Sequence, residues 1–481
     1  MAPATTARGT VLLMIAKGLF LAGNVVIHIF LGRTLGPGDY GLYGLAMSVL
    51  LWFEVTVNSA VPWAISKVIS ERKTLARTVF LQGTTLQLVF SLTILILFLI
   101  LSPTLARALG EGTVKALLWW AALDIPFFAL FSICLTYFNG LQQFGRQGVV
   151  LTCRILFKTV ATVLLVTVGL SVRGALLANV LGSVAALVLG LYLIRLPQPS
   201  EDRIRLIDRV LSFGVPYTLF LLSAQLLLNV DLWSVKILMR EASSAGFYTS
   251  AQTISRVPYF LFLGLTAALF PALSKSTSRG QADASRLQIK QAVRLLALTL
   301  LPAGAIISSD PQAVVGLIYG IHFSPAVLPL AVLIWGMILF TVFFTLALII
   351  SVAGKPLTAL RYSLMLILVD VLLNRTLVPR AELLGAALAT TITAFLGTAL
   401  LGSLVFRQFQ VLIPGKSLAK MLFIAALIFG LSVLVPLEGP FFVLKCLFLS
   451  ALYMGSLVIL GEVGQEDFRR IRGLWPSLPA G

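Results

Sequence analysis

Residues 90–101 read FSLTILILFLIL and lie inside a longer apolar run that extends from residue 79 to residue 101. A helix needs about 20 apolar residues to cross the hydrocarbon core of a bilayer. The run is continuous and does not alternate with polar residues, which favours a helix over a strand of a membrane β-barrel. Comparable runs follow one another along the chain, and they predict an all-α membrane protein.

The apolar runs number about fourteen, and the segments between them are only long enough to turn the chain. Helices suit this environment because lipid offers the backbone no hydrogen-bond partner. With 59% hydrophobic and 11% charged residues, the chain has no room for a soluble catalytic domain. The predicted spans are 11–31, 41–65, 79–101, 116–137, 148–170, 174–194, 212–238, 246–271, 291–308, 327–352, 360–377, 384–406, 418–435 and 441–461.

The formal net charge of +18 follows the predicted topology. Most Lys and Arg residues fall in alternate loops, which are the cytoplasmic loops if the N-terminus is cytoplasmic. This asymmetry is the positive-inside pattern of multi-pass proteins. We therefore expect a cell-membrane protein with both termini in the cytoplasm, and we do not interpret the basic surplus as a nucleic-acid site.

Motifs for bound cofactors or covalent chemistry are absent from the sequence. Cys134, Cys153 and Cys446 all fall inside predicted spans, and the chain has only two His residues. This pattern argues against a disulfide framework and against a metal cluster. The sequence also lacks a P-loop and a nucleophile elbow. We therefore predict a protein that is not an enzyme and that uses neither a cofactor nor a metal.

The sequence contains a long-range internal repeat. Four short motifs recur in the same order at offsets between 205 and 214 residues. Repeats of this kind are typical of secondary transporters. The matched pairs are Gly41-Leu42-Tyr43 with Gly246-Phe247-Tyr248, Pro62 with Pro271, Gly140 with Gly354, and Gly174-Ala175-Leu176-Leu177-Ala178 with Gly385-Ala386-Ala387-Leu388-Ala389.

The repeat predicts the organisation of the chain. Six spans are an even number, so both halves enter the membrane from the same side and form a parallel repeat, which favours an alternating-access carrier. The predicted parts are an N-lobe of spans 1–6 (1–194), a basic cytoplasmic linker (195–211), a C-lobe of spans 7–12 (212–406), and spans 13–14 with a cytoplasmic tail (407–481).

We single out nine charged side chains in predicted spans, where such groups are costly unless they face a cavity or a partner. Lys158 and Arg256 each lie about ten residues into a span, which places them near the midplane. Arg154 shares a helix face with Lys158, whereas Arg154 and Lys236 lie near span ends and can snorkel to the interface. The set comprises Glu54, Asp124, Asp231, Asp370, Lys17, Arg154, Lys158, Lys236 and Arg256.

Two interpretations of these charges stay open at this point. In the first, Arg256, Lys158, Lys17 and Arg154 bind an anionic group such as a diphosphate. Asp231, Glu54 and Asp370 then bind a coupling ion, either H⁺ or Na⁺. In the second, acids and bases neutralise one another as structural ion pairs. We assign Asp124 a structural role in either case.

Several of these motifs resemble a known transporter family. Leu35-Gly36-Pro37-Gly38-Asp39-Tyr40-Gly41-Leu42-Tyr43 resembles the LGP-x-(D/E)-YG-x-Y turn of polysaccharide flippases, which belong to the multidrug/oligosaccharidyl-lipid/polysaccharide exporter superfamily. The second half is similar at Asn229-Val230-Asp231 before Ala245-Gly246-Phe247-Tyr248, at Leu269-Phe270-Pro271-Ala272-Leu273-Ser274, and at Leu384-Gly385-Ala386-Ala387-Leu388-Ala389.

The resemblance implies fourteen helices, with two six-helix lobes around a V-shaped central cavity. It implies that an isoprenoid-diphosphate-linked oligosaccharide moves from the cytoplasmic to the outer leaflet during cell-surface polysaccharide synthesis, alongside glycan-assembly proteins. Related peptidoglycan-precursor flippases place cations of spans one and eight in the cavity, and Lys17 and Arg256 lie in those spans here. The alternatives are a multidrug/cation antiporter of the same fold, a membrane enzyme of glycan assembly, and a scaffold without transport.

Overall fold

The computed structural model describes residues 3–110, 112–198, 206–210, 215–259, 273, 276–277, 281–411, 415–435, 437, 439–462 and 464. These residues form helices and the turns that join them, and no strand occurs among them. The predicted all-α fold is confirmed. Residues 199–205 and 211 of the basic linker, and Pro271 of the repeat motif, lie outside the described residues.

The helices are given in chain order. They are α1 (Pro3–Glu71), α2 (Ala76–Ala108), α3 (Gly112–Ala122), α4 (Asp124–Gly140), α5 (Phe144–Leu165), α6 (Ser171–Leu193), α7 (Leu206–Arg209), α8 (Val215–Leu227), α9 (Val230–Met239), α10 (Ala242–Ser255), α11 (Ala282–Ser309), α12 (Pro311–Tyr319), α13 (Val327–Val352), α14 (Pro356–Phe409), α15 (Gly415–Leu434) and α16 (Pro440–Ile459). A π-helical segment, Val166–Leu170, joins α5 to α6.

Within the described ranges, nine helices are long and apolar enough to cross a membrane, or ten if the bent pair α8–α9 is one span. Three of them, Val11–Glu71, Phe144–Leu193 and Pro356–Phe409, have 50 residues or more. A helix of that length extends about 75 Å, more than twice the bilayer core of about 30 Å. Each of the three contains a residue with positive φ, at which the helix is interrupted and the chain changes direction. The count of fourteen stays a prediction, because residues 260–272 lie outside the described part.

The chain divides into two compact units. The first comprises Met1–Asn229 with Arg240–Gly246. Its apolar core is built from one face each of α1, α2 and α4, where the rings of Phe80 and Tyr137 lie 5.1 Å apart. The Tyr137 hydroxyl donates to the Arg195 carbonyl oxygen at 2.9 Å, so α4 also holds the chain that follows α6. The domain boundaries derived from the sequence remain a prediction.

The second unit comprises Val230–Met239 with Phe247–Gly481. Here α11 packs against α15 and α16 through a cluster that includes Leu301, Ile424 and the fully buried Tyr453. The Lys445 ammonium contacts the Asp310 carboxylate at 3.0 Å and ties α16 to the start of α12. The final helix pair is thus an integral part of this unit.

The internal repeat is visible in the backbone. Turns at equivalent places in the two halves each contain a residue with positive φ, at offsets between 204 and 212 residues. Ser171 (φ 47°, ψ −132°) and Glu382 (φ 50°, ψ −127°) adopt nearly the same rare conformation. The pairs are Gly36 with Arg240, Gly110 with Gly320, Gln142 with Gly354, and Ser171 with Glu382.

One of the motif matches made from the sequence was wrong by two residues. Gly354 corresponds to Gln142 and not to Gly140, because both end a helix with the same hydrogen bonds. The following amides, Gln143 N and Lys355 N, donate to carbonyl oxygens five residues earlier, at 2.8 and 3.2 Å. Glycine and glutamine both fill this left-handed position, so residue type was a poor guide to the register.

A single inserted residue explains the last change of offset along the repeat. The offset is 212 at Gln142 and Gly354 but 211 at Ser171 and Glu382. The turn of the first half contains two residues with positive φ, Gly169 (φ 98°) and Ser171, whereas the equivalent turn of the second half contains only Glu382. The extra residue therefore lies in the turn at Gly169, so that positions before this turn correspond at offset 212 and positions after it at offset 211.

The Gly-Ala-x-Leu-Ala motifs start with glycine for a steric reason. A Cβ on Gly174 would lie 3.0 Å from the carbonyl carbon and oxygen of Leu165, at the end of the preceding helix. A Cβ on Gly385 would overlap the carbonyl oxygen of Leu377 and lie 2.9 Å from Val378 N. In both halves the glycine allows the helix to fold back closely on the span before it.

This close approach predicts that Gly385→Ala destabilises the second unit. The methyl group has only backbone to displace, and overpacking of this kind costs about 1–3 kcal/mol. Gly402→Ala on the same helix is the matched control, because its Cβ would meet only Leu346 Cδ1 at 3.9 Å. Thermal unfolding in detergent should show a lower midpoint for Gly385→Ala alone. Equal midpoints for the two variants would contradict the steric argument.

Candidate functional site: a buried polar network in each half

The first unit contains a network of charged and polar side chains, which we call the N-network: Glu54, Asp124, Arg154, Lys158, Asn179 and Ser183. All six are buried, with exposures of 6% or less. They come from α1, α4, α5 and α6. The first helix and three consecutive later helices therefore direct polar groups into one interior region.

Asn179 joins the two acids of the N-network. Its Nδ2 donates to Asp124 Oδ2 at 2.6 Å and lies 3.4 Å from Glu54 Oε1. Two carboxyl groups that face one amide nitrogen repel each other when both are ionised. The cations of α5 can offset this negative charge.

Arg154 is the cation that contacts Asp124 most directly. Its Nη2 lies 3.8 Å from Asp124 Oδ2, and its Nε donates to Ser183 Oγ at 3.3 Å. The guanidinium also lies over the rings of Phe128 and Phe131, at 4.8 and 5.4 Å from their centroids. Arg154 thus does not snorkel to the interface.

Lys158 lies one turn further along α5. Glu54 and Asp124 both act on its ammonium electrostatically, and its side chain is 6% exposed. The close packing depends on Gly182, whose Cβ would lie 2.9 Å from Lys158 Cβ and 3.0 Å from the Arg154 carbonyl oxygen. The structure therefore brings together Glu54, Arg154 and Lys158, which the sequence had singled out.

The second unit contains its own network, which we call the C-network: Asp231, Tyr248, Gln252, Arg256, Asp370, Asn374, Thr390 and Thr393. At its centre the Asp231 carboxylate is fully buried and accepts four hydrogen bonds. The donors are Leu232 N at 2.8 Å, Tyr248 Oη at 2.8 Å, Gln252 Nε2 at 3.0 Å and Thr390 Oγ1 at 3.2 Å.

Asp370 is the second acid of the C-network. Its Oδ1 accepts from Asn374 Nδ2 and from Thr393 Oγ1, both at 3.2 Å. Within the described residues, Asp370 Oδ2 and Asn374 Oδ1 are buried acceptors without a hydrogen-bond donor. Asp231 and Asp370 also interact electrostatically. Two acids and two open acceptor oxygens provide ligands that suit a proton or a hard monovalent cation.

The remaining predicted cations occupy different environments. Arg256 is partly buried on the segment after α10 and interacts electrostatically with Asp231. Lys236 is completely buried within the second unit and, like Arg154, does not snorkel. Lys17 is exposed on α1 and belongs to neither network. Of the four cations assigned to the diphosphate, two therefore lie in the N-network and one in the C-network.

Sequence reasoning missed the uncharged members of both networks. Asn179 and Thr390 are the clearest cases, because each donates to a buried acid and each directly follows a Gly-Ala-x-Leu-Ala motif. Their offset of 211 makes them equivalent in the repeat. A polar residue at the same place after both motifs was the signal that could have identified them.

The networks hold no group of three or more His, Cys, Asp or Glu residues that could bind a metal ion, as far as the described ranges extend. The three cysteines are free thiols. The side chains that the networks do contain can form ion pairs and hydrogen bonds.

Fold and networks together define a class of protein: a multi-pass membrane protein with an internally repeated helical bundle and buried ionisable groups in each half. The chain belongs to the family described as polysaccharide biosynthesis protein, whose model matches residues 30–328. The resemblance to polysaccharide flippases noted in the sequence is confirmed by this match.

Individual proteins support the same assignment. The chain is 22% identical over 480 residues to the probable low-salt glycan biosynthesis flippase Agl15 of Haloferax volcanii, covering 98% of this chain and 99% of that protein. The fold is similar to the lipid II flippase MurJ in an inward closed conformation, with a TM-score of 0.74, 16% identity and coverage of 94% and 98%. It is also similar to an inward-facing multidrug resistance MATE transporter, with a TM-score of 0.65, 17% identity and coverage of 84% and 99%.

The N-network predicts a strong energetic link between Asp124 and Arg154. Removing one partner of a buried ion pair leaves an uncompensated charge and costs about 3–5 kcal/mol. We expect Asp124→Asn and Arg154→Gln each to lower the unfolding midpoint strongly. The unfolding midpoint of the double variant should fall by much less than the sum of the two single decreases, because the double variant buries neither charge.

Thermal unfolding of the four proteins in one detergent measures this cycle. Asp283→Asn with Arg286→Gln is the matched control pair, because these side chains form an exposed ion pair outside both networks, for which the losses should be small and additive. Additive losses for Asp124→Asn and Arg154→Gln would contradict the inferred link.

Proposed function

We propose that this chain is an alternating-access flippase. It moves an isoprenoid-diphosphate-linked oligosaccharide from the cytoplasmic to the outer leaflet of the cell membrane for cell-surface polysaccharide synthesis. The observation that carries the proposal is the burial of cations and acids in each half of a repeated membrane fold. A diphosphate cannot cross bare lipid because burial of each charge costs several kcal/mol. Family membership and the similarity to Agl15 and MurJ support the same substrate class.

In this proposal Arg256, Lys158, Lys17 and Arg154 bind the diphosphate. Lys17 is exposed and Arg256 is partly buried, so these two need the least rearrangement to meet a lipid headgroup. Lys158 and Arg154 must first exchange their carboxylate partners for phosphate oxygens, which accept the same charge-assisted hydrogen bonds. The N- and C-termini are cytoplasmic, and glycan-assembly proteins supply and consume the lipid-linked glycan.

Transport is driven by H⁺ or Na⁺ that binds to the acids of the networks. Asp231 and Asp370 are the main ligands, since Asp370 Oδ2 is a buried acceptor to which no described residue donates. Glu54 serves either as a further ion ligand or as the counter-charge of Lys158. The alternative is an ion-driven multidrug/cation antiporter, which the similarity to a MATE transporter favours.

Loss of single cations should slow lipid exchange between leaflets. We expect Arg256→Ala and Lys158→Ala to reduce exchange about tenfold or more, because a hydrogen bond to a charged group contributes about 1.5–3 kcal/mol. Purified protein in proteoliposomes with a fluorescent isoprenoid-diphosphate oligosaccharide gives the rate. Lys355→Ala and Lys73→Ala are matched controls, because both lysines are exposed in loops outside the networks.

The outcomes of this assay separate the hypotheses. If lipid exchange persists in both Arg256→Ala and Lys158→Ala, the flippase function stands and the assignment of this diphosphate site is rejected. Export of cationic dyes, without exchange of any lipid-linked glycan, would instead identify the antiporter.

Neutralising the C-network should uncouple exchange from the ion gradient. In proteoliposomes with an imposed Na⁺ or pH gradient, we expect the wild-type rate to depend on one of the two gradients. Asp370→Asn should remove that dependence while downhill lipid exchange persists, because the open acceptor oxygen is lost. Asp310→Asn is the control, since this acid lies outside the network. A gradient response that Asp370→Asn leaves unchanged would reject the acid as an ion ligand.

A further inference from the structure

Two helices of the second unit, α11 and α15, run side by side in the same direction. Near their starts, the Arg294 guanidinium donates to the Glu462 carbonyl oxygen, and the Lys420 ammonium contacts the Glu462 carboxylate at 3.1 Å. Near their ends, Ser309 Oγ donates to Ser432 Oγ at 2.7 Å. The residues that precede Arg294 and Lys420 therefore lie together at one surface of the membrane.

A third helix, α14, ends at the same surface. Arg286, in the first turns of α11, donates from Nε to the carbonyl oxygen of Phe409 at 3.0 Å. Phe409 is the last residue of α14, and the exposed Arg407 lies in the same last turn. The end of α14 and the starts of α11 and α15 thus meet at one place on the second unit.

These three helix ends carry four exposed cations, which we call the basic patch. Lys290 lies one turn before Arg294 on α11, and Lys416 lies one turn before Lys420 on α15. Both lysines are therefore closer to the membrane surface than the contacts made by Glu462. The members of the basic patch are Arg286, Lys290, Arg407 and Lys416.

The basic patch contains more cations than nearby acids can neutralise. Of the acids that the structure describes in the second unit, Asp283 and Glu462 lie at this surface. Asp283 Oδ1 lies 3.4 Å from Arg286 Nη1, whereas the Glu462 carboxylate contacts Lys420, which is not a member of the patch. The other three members of the patch form no ion pair with any residue in the described ranges.

Exposed apolar side chains accompany the basic patch on all three helices. Leu287 follows Arg286 on α11, and Phe406 precedes Arg407 on α14. Leu418 lies in the first turn of α15. A phospholipid offers a partner to both kinds of side chain, because its phosphate attracts the cations and its acyl chains contact the apolar groups. A soluble anion would contact the cations alone.

We infer that the basic patch binds the phosphate group of an anionic phospholipid in the leaflet at which α11 and α15 begin. This is the cytoplasmic leaflet in the proposed topology. Phosphate oxygens accept charge-assisted hydrogen bonds from Lys and Arg, and the positive end of the α15 dipole lies beside Lys416. The patch belongs to neither polar network, so this lipid site is separate from the proposed diphosphate site.

Thermal unfolding in mixed micelles tests this inference. The full chain in a non-ionic detergent receives increasing mole fractions of phosphatidylglycerol, or of phosphatidylcholine with the same acyl chains. A ligand that binds only the folded state raises the unfolding midpoint, and the increase reports the apparent affinity. We expect phosphatidylglycerol to raise the midpoint of the wild type, and phosphatidylcholine to leave it unchanged.

The test variant combines Lys290→Gln with Lys416→Gln, which removes two exposed charges of the patch. Its apparent affinity for phosphatidylglycerol should fall about 30-fold, since each basic side chain beside an anionic lipid contributes about fivefold. The matched control combines Lys355→Gln with Arg361→Gln. These two cations are also exposed in the second unit, but they lie at the start of α14 and outside the patch. The control should respond to phosphatidylglycerol like the wild type.

Three results would overturn the inference. Equal losses of affinity in the two double variants would show that overall charge, and not the patch, attracts the lipid. An equal response of the wild type to phosphatidylglycerol and phosphatidylcholine would show that the headgroup charge is not recognised. If glycerol 3-phosphate, which lacks acyl chains, raises the midpoint as much as phosphatidylglycerol does, the patch binds soluble phosphates and the assignment to a phospholipid fails. The measurement needs no transport, so its result is independent of the proposed flippase function.

Discussion

The constraint on which the rest of this structure depends is the need to neutralise charge away from water. A buried ion without a partner costs several kcal/mol, and acids and bases recur inside the predicted spans of this chain. In the N-network Asp124 is matched by Arg154, and the Asn179 amide faces both acids. Helices that are distant in sequence must then pack together, because each supplies a partner for another.

Close packing is the second requirement, and glycine meets it at specific points. Gly182 lets α6 approach the backbone of Arg154 and Lys158, so the two cations face their acids across a short distance. Gly174 and Gly385 let the following helix fold back on Leu165 and Leu377. The polar networks therefore depend on residues that contribute no polar group themselves.

The sequence predicted the helical membrane fold, the repeat and the buried charges, because hydropathy and spacing are local properties of the chain. It did not predict which charges meet. Arg154 was assigned a position from which it could reach the interface, yet helix packing directs it to Asp124 and Ser183. Asn179 and Thr390 were not identified from the sequence, because side-chain amides and hydroxyls are common in membrane spans. Their role depends on a partner from another helix, which no single segment reveals.

The two networks occupy equivalent places but are not copies of each other. Before the turn at Gly169 the offset is 212, so Lys158 of the first half corresponds to Asp370 of the second. The donors Asn179 and Thr390 occupy equivalent positions of the repeat. The acids do not, because at an offset of 205 the residue equivalent to Glu54 is Tyr259. The repeat thus places a charged residue at equivalent positions of α5 and α14, but the charge is positive at Lys158 and negative at Asp370. A cation can bind an anionic headgroup, whereas a carboxylate with an open acceptor oxygen can bind a proton or Na⁺. The reversed charge at these equivalent positions therefore argues that the two halves of a proposed ion-driven flippase perform different tasks.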